Sequence, residues 1–224
     1  MAGGAAGAPG GAAPPYPPHP GGVPHRADYL PEIDTGIHTM MVLDQSASRN
    51  FELPVRFAAL LHDLGKATTP ADILPRHIGH EERSVRLAEK LCARLKVPVE
   101  CRDLALLMAR YHGNIHRSAE LRAATIVGLF EKTDALRRPA RFQQLLDACL
   151  CDFTGRLGWE DRPYDSPQRL LAALVAVNAV NAGKIAAACN EKGKIPDRVR
   201  AARVAAVKAL LNEPGDQPDQ QGKE

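Results

Sequence analysis

The chain has 224 residues, 45% hydrophobic and 25% charged, with a formal net charge of +3. That length holds one substantial domain or two small ones, and that charge excludes a polyanion-wrapping basic protein, although a local Lys/Arg patch could still meet RNA phosphates. Aromatic residues make up only 4%, which argues against recognition built on many stacked rings.

Residues 1–28 hold seven Gly, seven Pro and seven Ala. Such a segment cannot bury enough apolar surface to offset its ordering entropy, so it is expected to be disordered, with His19 and His25 solvated. From Tyr29 onward apolar residues recur at helical spacing and strand texture is almost absent. Thr35–Arg49 places Ile37, Met40, Met41 and Leu43 on one broad face. Pro54 opens the next helix, at a position where its missing N–H costs nothing. Phe57, Leu60, Leu61 and Leu64 form that helix's stripe, and Gly65 reads as its stop. Glu81–Leu95 carries Val85, Ala88, Leu91 and Leu95. Pro98 starts a helix that runs to about Tyr111. Ala123–Leu136 and Pro139–Asp152 follow, separated at Arg138-Pro139. Pro167–Ala182 and Pro196–Leu211 complete the series, and the polar residues 213–224 are expected to fray. The pattern predicts an all-α domain, a bundle of about eight helices.

Five cysteines (Cys92, Cys101, Cys149, Cys151, Cys189) form no CxxC pair, and an odd number fits no disulfide framework. A reducing, cytoplasmic location is therefore expected. The longest apolar run, Leu170 to Val177, is far short of the about 20 residues a spanning helix needs. The N-terminus lacks the basic and apolar regions of a signal peptide. No membrane partner is expected.

Six histidines fall between positions 38 and 116: His38, His62, His77, His80, His112 and His116. His62 and Asp63 sit together at the end of an apolar helix, in Leu60-Leu61-His62-Asp63-Leu64-Gly65-Lys66. Burying such a pair is costly unless a partner neutralises it. A divalent cation is one such partner, because imidazole and carboxylate suit several of these ions. His38 upstream, His80 and His112 downstream, and Asp152 at a later helix end give the order H…HD…H…H…D, as in a metal site assembled from several helices of a bundle. His77 and His116 read as orienting or surface residues, since Gly113 interrupts the His112–His116 pair. Cys149 and Cys151 read as apolar packing. Lys66 could hold a phosphate oxygen, and Arg156, four residues after Asp152, could be a second clamp.

These residues resemble the HD-domain metal-dependent phosphohydrolases, and within them the C-terminal HD region of bacterial CCA-adding tRNA nucleotidyltransferases. The matching stretches are Pro31 to Thr39, Arg56 to Lys66, Pro75-Arg76-His77 with Gly79-His80, Arg102 to Ala105, Tyr111-His112 with His116, and Asp152 with Gly155-Arg156. The likeness runs from about Pro31 to about Leu211. It implies an HD helical bundle over residues 29–160 and a C-terminal helical extension over 161–212. It implies His38, His62, Asp63 and Asp152 as ligands of one divalent ion (Ni²⁺, Mn²⁺ or Mg²⁺), with His62, Asp63 and Lys66 at the centre of catalysis. His80, His112 and Arg156 would serve a second metal or contact phosphate. The implied activities are 2′,3′-cyclic phosphodiesterase, 2′-nucleotidase and phosphatase on nucleotide phosphoesters, in the setting of tRNA 3′-end processing. The nucleotidyltransferase head of such enzymes has no counterpart here, so the chain is not expected to add CCA by itself. The alternative is a non-catalytic tRNA-binding module, with Arg198, Arg200 and Arg203 forming a backbone-contacting face.

Overall fold

A computed structural model describes residues 34–212, so the two expected tails, 1–28 and 213–224, lie outside the described residues. The described residues contain nine α-helices and no strand. They are α1 (Thr35–Ser48), α2 (Leu53–Leu61), α3 (His80–Leu95), α4 (Val99–His116), α5 (Ala123–Thr133), α6 (Pro139–Thr154), α7 (Ser166–Asn178), α8 (Ala182–Ala187) and α9 (Ile195–Asn212). Short 3₁₀ turns at Leu64–Thr68, Ala71–Ile73, Ser118–Glu120 and Lys192–Lys194 link them. No helix among the described residues is long and apolar enough to cross a membrane.

Several helix starts follow from local chemistry. Asp34 caps α1, its Oδ1 accepting from the N–H groups of Gly36 (2.7 Å) and Ile37 (3.1 Å). That cap satisfies two donors the first turn would leave unpaired. Proline stands in the first turn of α2, α6 and α7, where its fixed φ suits the helix.

The structure corrects some of the expected faces. In α1 the buried residues are Thr35, His38, Val42 and Ser46, while Ile37, Met40, Met41 and Leu43 are only partly covered. The helix turns its polar stripe inward because His38 reaches a carboxylate on α6. In α2 the buried face is Val55, Ala58, Ala59 and Leu61, and Leu60 is left exposed. Small residues face inward because α2 is packed by α1, α4 and α6 together. Leu95, at the end of α3, is also exposed, and Cys92 closes that stripe instead. The helix expected over 167–182 is two: α7 stops at Asn178, and the Asn181 side chain caps α8 by accepting from the Lys184 N–H (2.9 Å). That side chain offers the backbone a local alternative to continuing the helix.

Gly65 does not end α2, which stops at Leu61. It lets the 64–68 turn lie directly on α3. A Cβ there would come within 2.3 Å of the His80 carbonyl and 2.4 Å of the Ser84 nitrogen. The contact is fixed by Ser84 Oγ, which accepts from the Gly65 N–H (2.8 Å).

A second layer of α5, α7 and α9 packs beside the α1–α4 and α6 group. One apolar core runs through both, from Val55 and Leu61 by way of Leu104, Met108, Phe130 and Phe142 to Leu170 and Val207. The rings of Phe130 and Phe142 meet edge to face at 5.4 Å, a favoured aromatic geometry. All five cysteines are buried free thiols. Cys149 sits in this core, its thiol donating to the Met108 sulfur (3.5 Å).

Candidate metal centre

Helix ends converge on one cleft. His38 comes from the second turn of α1, His62 and Asp63 directly follow α2, and His80 opens α3. His112 and His116 lie on the last turns of α4, and Asp152 lies near the end of α6. His38, His62, Asp63, His112 and Asp152 are all buried. The cleft has a volume of about 210 Å³.

Three imidazoles are locked the same way round. The Nδ1 atoms of His62, His80 and His112 lie 2.7, 2.9 and 2.9 Å from the backbone carbonyls of Ala59, His77 and Met108. A carbonyl only accepts, so each Nδ1 carries the proton and each neutral ring presents an Nε2 lone pair to the cleft. Those lone pairs meet carboxylate oxygens, which are also acceptors. His62 Nε2 is 3.2 Å from Asp63 Oδ2 and 3.6 Å from Asp152 Oδ1. His80 Nε2 and His112 Nε2 are 3.4 and 3.6 Å from Asp63 Oδ1, and 3.4 Å from each other. His62 Nε2 and Asp63 Oδ1 are buried with no hydrogen-bond donor of their own. Acceptors crowded against acceptors are stable only with a proton or a cation among them.

The ligand atoms divide into two triads, His38–His62–Asp152 and Asp63–His80–His112, each within 4.8 Å. The four residues expected around one ion are thus neighbours, with His38 Nε2 at 3.0 Å from Asp152 Oδ1. Asp63 stands between the triads, one oxygen toward His62 and the other toward His80 and His112. Two imidazoles and a carboxylate in each triad form a donor set that fits a divalent transition ion better than Mg²⁺, which prefers oxygen.

The electrostatics express the same frustration. Burial opposes protonation of His62, yet Asp63 and Asp152 outweigh it and push the imidazole up to about 10. Burial raises both carboxyls, but Lys66 and His62 hold Asp63, and His62 and His116 hold Asp152, well below the usual carboxylate range. Burial pushes His112 down to about 3, with Asp63 working against it. A site that draws a proton onto one imidazole and refuses it at another has the charge pattern of a cation site.

Lys66 and Arg156 also line the cleft. Lys66 is buried, its Nζ 2.5 Å from Asp63 Oδ2. Arg198, Arg200 and Arg203 lie on α9 and are not among the lining residues. Arg200 is engaged by Glu131 of α5, Nε to Oε1 3.1 Å.

Gly113 does not interrupt the last histidine pair. Helix α4 runs on to His116, which places the two rings one turn apart with centroids 6.1 Å from each other. A single glycine costs a helix only about 1 kcal/mol, and packing overrides it. His116 Nε2 donates to Asp152 Oδ2 (2.6 Å), and its Nδ1 accepts from the Tyr164 hydroxyl (2.9 Å). His77 supports the site from outside the cleft, its carbonyl accepting from the His80 N–H (2.9 Å) and Nδ1. Tyr164 and the cleft residue Arg117 escaped the sequence reading. Tyr164 lies in the loop after α6, 48 residues from His116, with no periodicity to mark it. Arg117 had only its position beside His116 as a signal.

Residues 35–152 match the HD domain family, more than half of the 224-residue chain. A multifunctional CCA protein from Dechloromonas aromatica (strain RCB) is 78% identical over 200 residues, covering 89% of this chain and 48% of its own length. One from Cupriavidus necator is 64% identical over 191 residues, 85% of this chain and 46% of its own. One from Burkholderia vietnamiensis is 60% identical over the same length and shares. The chain therefore spans about half the length of the curated relatives it matches. No solved structure matches it with significance. The matched residues enclose both triads, and the chain belongs to the HD domain family.

Proposed function

We propose that the chain is a divalent-metal-dependent phosphohydrolase acting on nucleotide phosphoesters, of the 2′,3′-cyclic phosphodiesterase, 2′-nucleotidase and phosphatase type. The observation that carries this reading is the inward set of Nε2 lone pairs facing carboxylates, with the Nδ1 protons turned away onto carbonyls. His38, His62 and Asp152 would hold one ion. Asp63, His80 and His112 would hold a second ion. When bound, a divalent ion offers charge to phosphoryl oxygens and lowers the pKa of a water it holds.

The chain's own residues supply the rest. Arg117 and Arg156 border the cleft and can receive phosphate oxygens. Lys66 offsets the charge of Asp63 from within. His116, held by Tyr164, fixes the Asp152 carboxylate through Oδ2 and leaves Oδ1 facing His38 and His62. The likeness to multifunctional CCA proteins supports a tRNA 3′-end or nucleotide substrate. The five buried free thiols suit a reducing, cytoplasmic setting.

The test is hydrolysis of 2′,3′-cyclic AMP by the metal-stripped chain, with Ni²⁺, Mn²⁺ or Mg²⁺ titrated in and Asp63→Ala run in parallel. The expected result is turnover that requires metal, is greater with Ni²⁺ or Mn²⁺ than with Mg²⁺, and is lost in the variant. A folded chain with no turnover under any ion would sink the reading and leave a tRNA-binding module in its place.

A further inference from the structure

The cleft is small beside the pockets that usually enclose a ligand. Pockets that bury whole drug-sized ligands run to about 300–1,000 Å³, against about 210 Å³ here. A nucleotide that puts its phosphate into the cleft would leave part of itself on the rim.

One rim differs from the others. The segment from Gly155 to Tyr164, which leaves α6 just beyond Asp152, carries the only tryptophan of an aromatic-poor chain. Arg156 lines the cleft and lays its guanidinium over Trp159 (4.9 Å to the centroid) and Phe153 (5.8 Å). Arg162 lies on Trp159 at 4.5 Å. Phe153 meets Trp159 at 5.0 Å and stacks on Tyr164 at 4.4 Å, with 17° between the planes. Tyr164 is the residue that grips His116, and His116 grips Asp152. The shelf is thus tied to the triad by an unbroken chain of contacts. Its outer side is open: Arg162 is exposed, and so is more than half of Leu157. Arg156 Nε is buried and makes no hydrogen bond, so this guanidinium is placed by stacking.

The other two cations of the cleft do not stack on this shelf. Lys66 faces Asp63, and Arg117 Nε donates to the Gly113 carbonyl (3.2 Å). Glu81, next to His80, brings its carboxylate to 3.4 Å from His80 Nδ1.

We propose that the Arg156–Trp159–Arg162 shelf is a nucleobase platform, on which the base of a nucleotide stacks while its phosphate enters the cleft. The proposal rests on the nucleotide-phosphoester reading above. Bases stack on guanidinium planes as well as on aromatic rings, and every base has a π-face, so the platform accepts purines and pyrimidines alike. It separates nucleotides from other phosphoesters and does not separate one base from another.

The single tryptophan makes the test direct. Fluorescence of the full chain, with and without Mn²⁺, is titrated with adenosine and cytidine 2′-monophosphates, ribose 5-phosphate and inorganic phosphate. Saturable quenching is expected with both nucleotides. Ribose 5-phosphate is expected to bind about tenfold more weakly or less, by the usual worth of one stacked base, and inorganic phosphate to leave the signal unchanged. Trp159→Ala should weaken nucleotide inhibition of hydrolysis by about tenfold while phosphate inhibition stays the same. Trp159→Phe, which keeps the ring and its contact with Phe153, should retain most of the affinity. Equal binding of ribose 5-phosphate and nucleotide would overturn the platform, and so would full nucleotide affinity in a folded Trp159→Ala chain. Quenching without hydrolysis leaves the platform standing and removes the phosphohydrolase. Hydrolysis indifferent to Trp159 does the reverse.

Discussion

His62 Nε2 is where a proton and a metal ion compete, and this makes stability depend on pH in a defined direction. In the metal-free chain the imidazole is pushed up to about 10 by Asp63 and Asp152 against the cost of burial. Its contribution is fully present below its ordinary 6.5 and is lost as pH rises from there toward about 10. His112 acts on the other side. Burial pushes it down to about 3, so below 6.5 the unfolded chain takes up a proton that the folded chain refuses. Asp63 and Asp152, both held low, add to that acid loss below 3.8. Metal-free stability should therefore peak near pH 6.5, and a saturating ion should abolish the alkaline decline, since it takes the place of the His62 proton. Thermal scans of stripped and loaded protein from pH 5 to 9 check this. A stripped protein with a flat midpoint above pH 6.5 would contradict it. The His62-Asp63 dipeptide was legible because two polar groups interrupt an apolar stripe. Tyr164 was not, because its importance arises only where the loop after α6 folds back on α4.

At the scale of elements, the packing of the 64–68 turn against α3 gives the sharpest expectation. A methyl group on Gly65 has no flexible neighbour to displace, because its nearest atoms are the backbone of His80 and Ser84. Gly65→Ala should cost about 3 kcal/mol, the upper end for overpacking a tight contact, and should weaken metal binding by shifting His80. A denaturant midpoint matching the wild type would show that the turn can move away freely. Helix starts read well from the chain because proline and Asp34 act locally. Helix faces read less well. In α1 the apolar pattern pointed outward from the real core, since the demand for His38 beside Asp152 set the rotation of the helix. The break between α7 and α8 depends on one asparagine side chain, a signal too short for periodicity to detect.

Across the whole molecule, the ion would act as a clasp. The fold class could be read from the helical spacing of apolar residues, and the family from the order of histidines and aspartates with the stretches around them. The division into two triads could not, because it depends on which oxygen of Asp63 faces which helix end. An ion that binds only the folded state stabilises it by about 2.7 kcal/mol at a hundred times its dissociation constant. For a chain of this size that is a rise in Tm of about 5–10 °C, reversed by a chelator and reduced in His38→Ala. An equal rise in that variant would place the ion elsewhere. The clasp also has an order in time. His38 and Asp152 meet across 114 residues of sequence, and a ribosome delivers His38, His62, Asp63, His80 and His112 before Asp152. A growing chain can display five ligands and still lack the one that closes the first triad. A chain cut short within α6, before Asp152, would carry all eight histidines and still lack the carboxylate that joins His38 and His62.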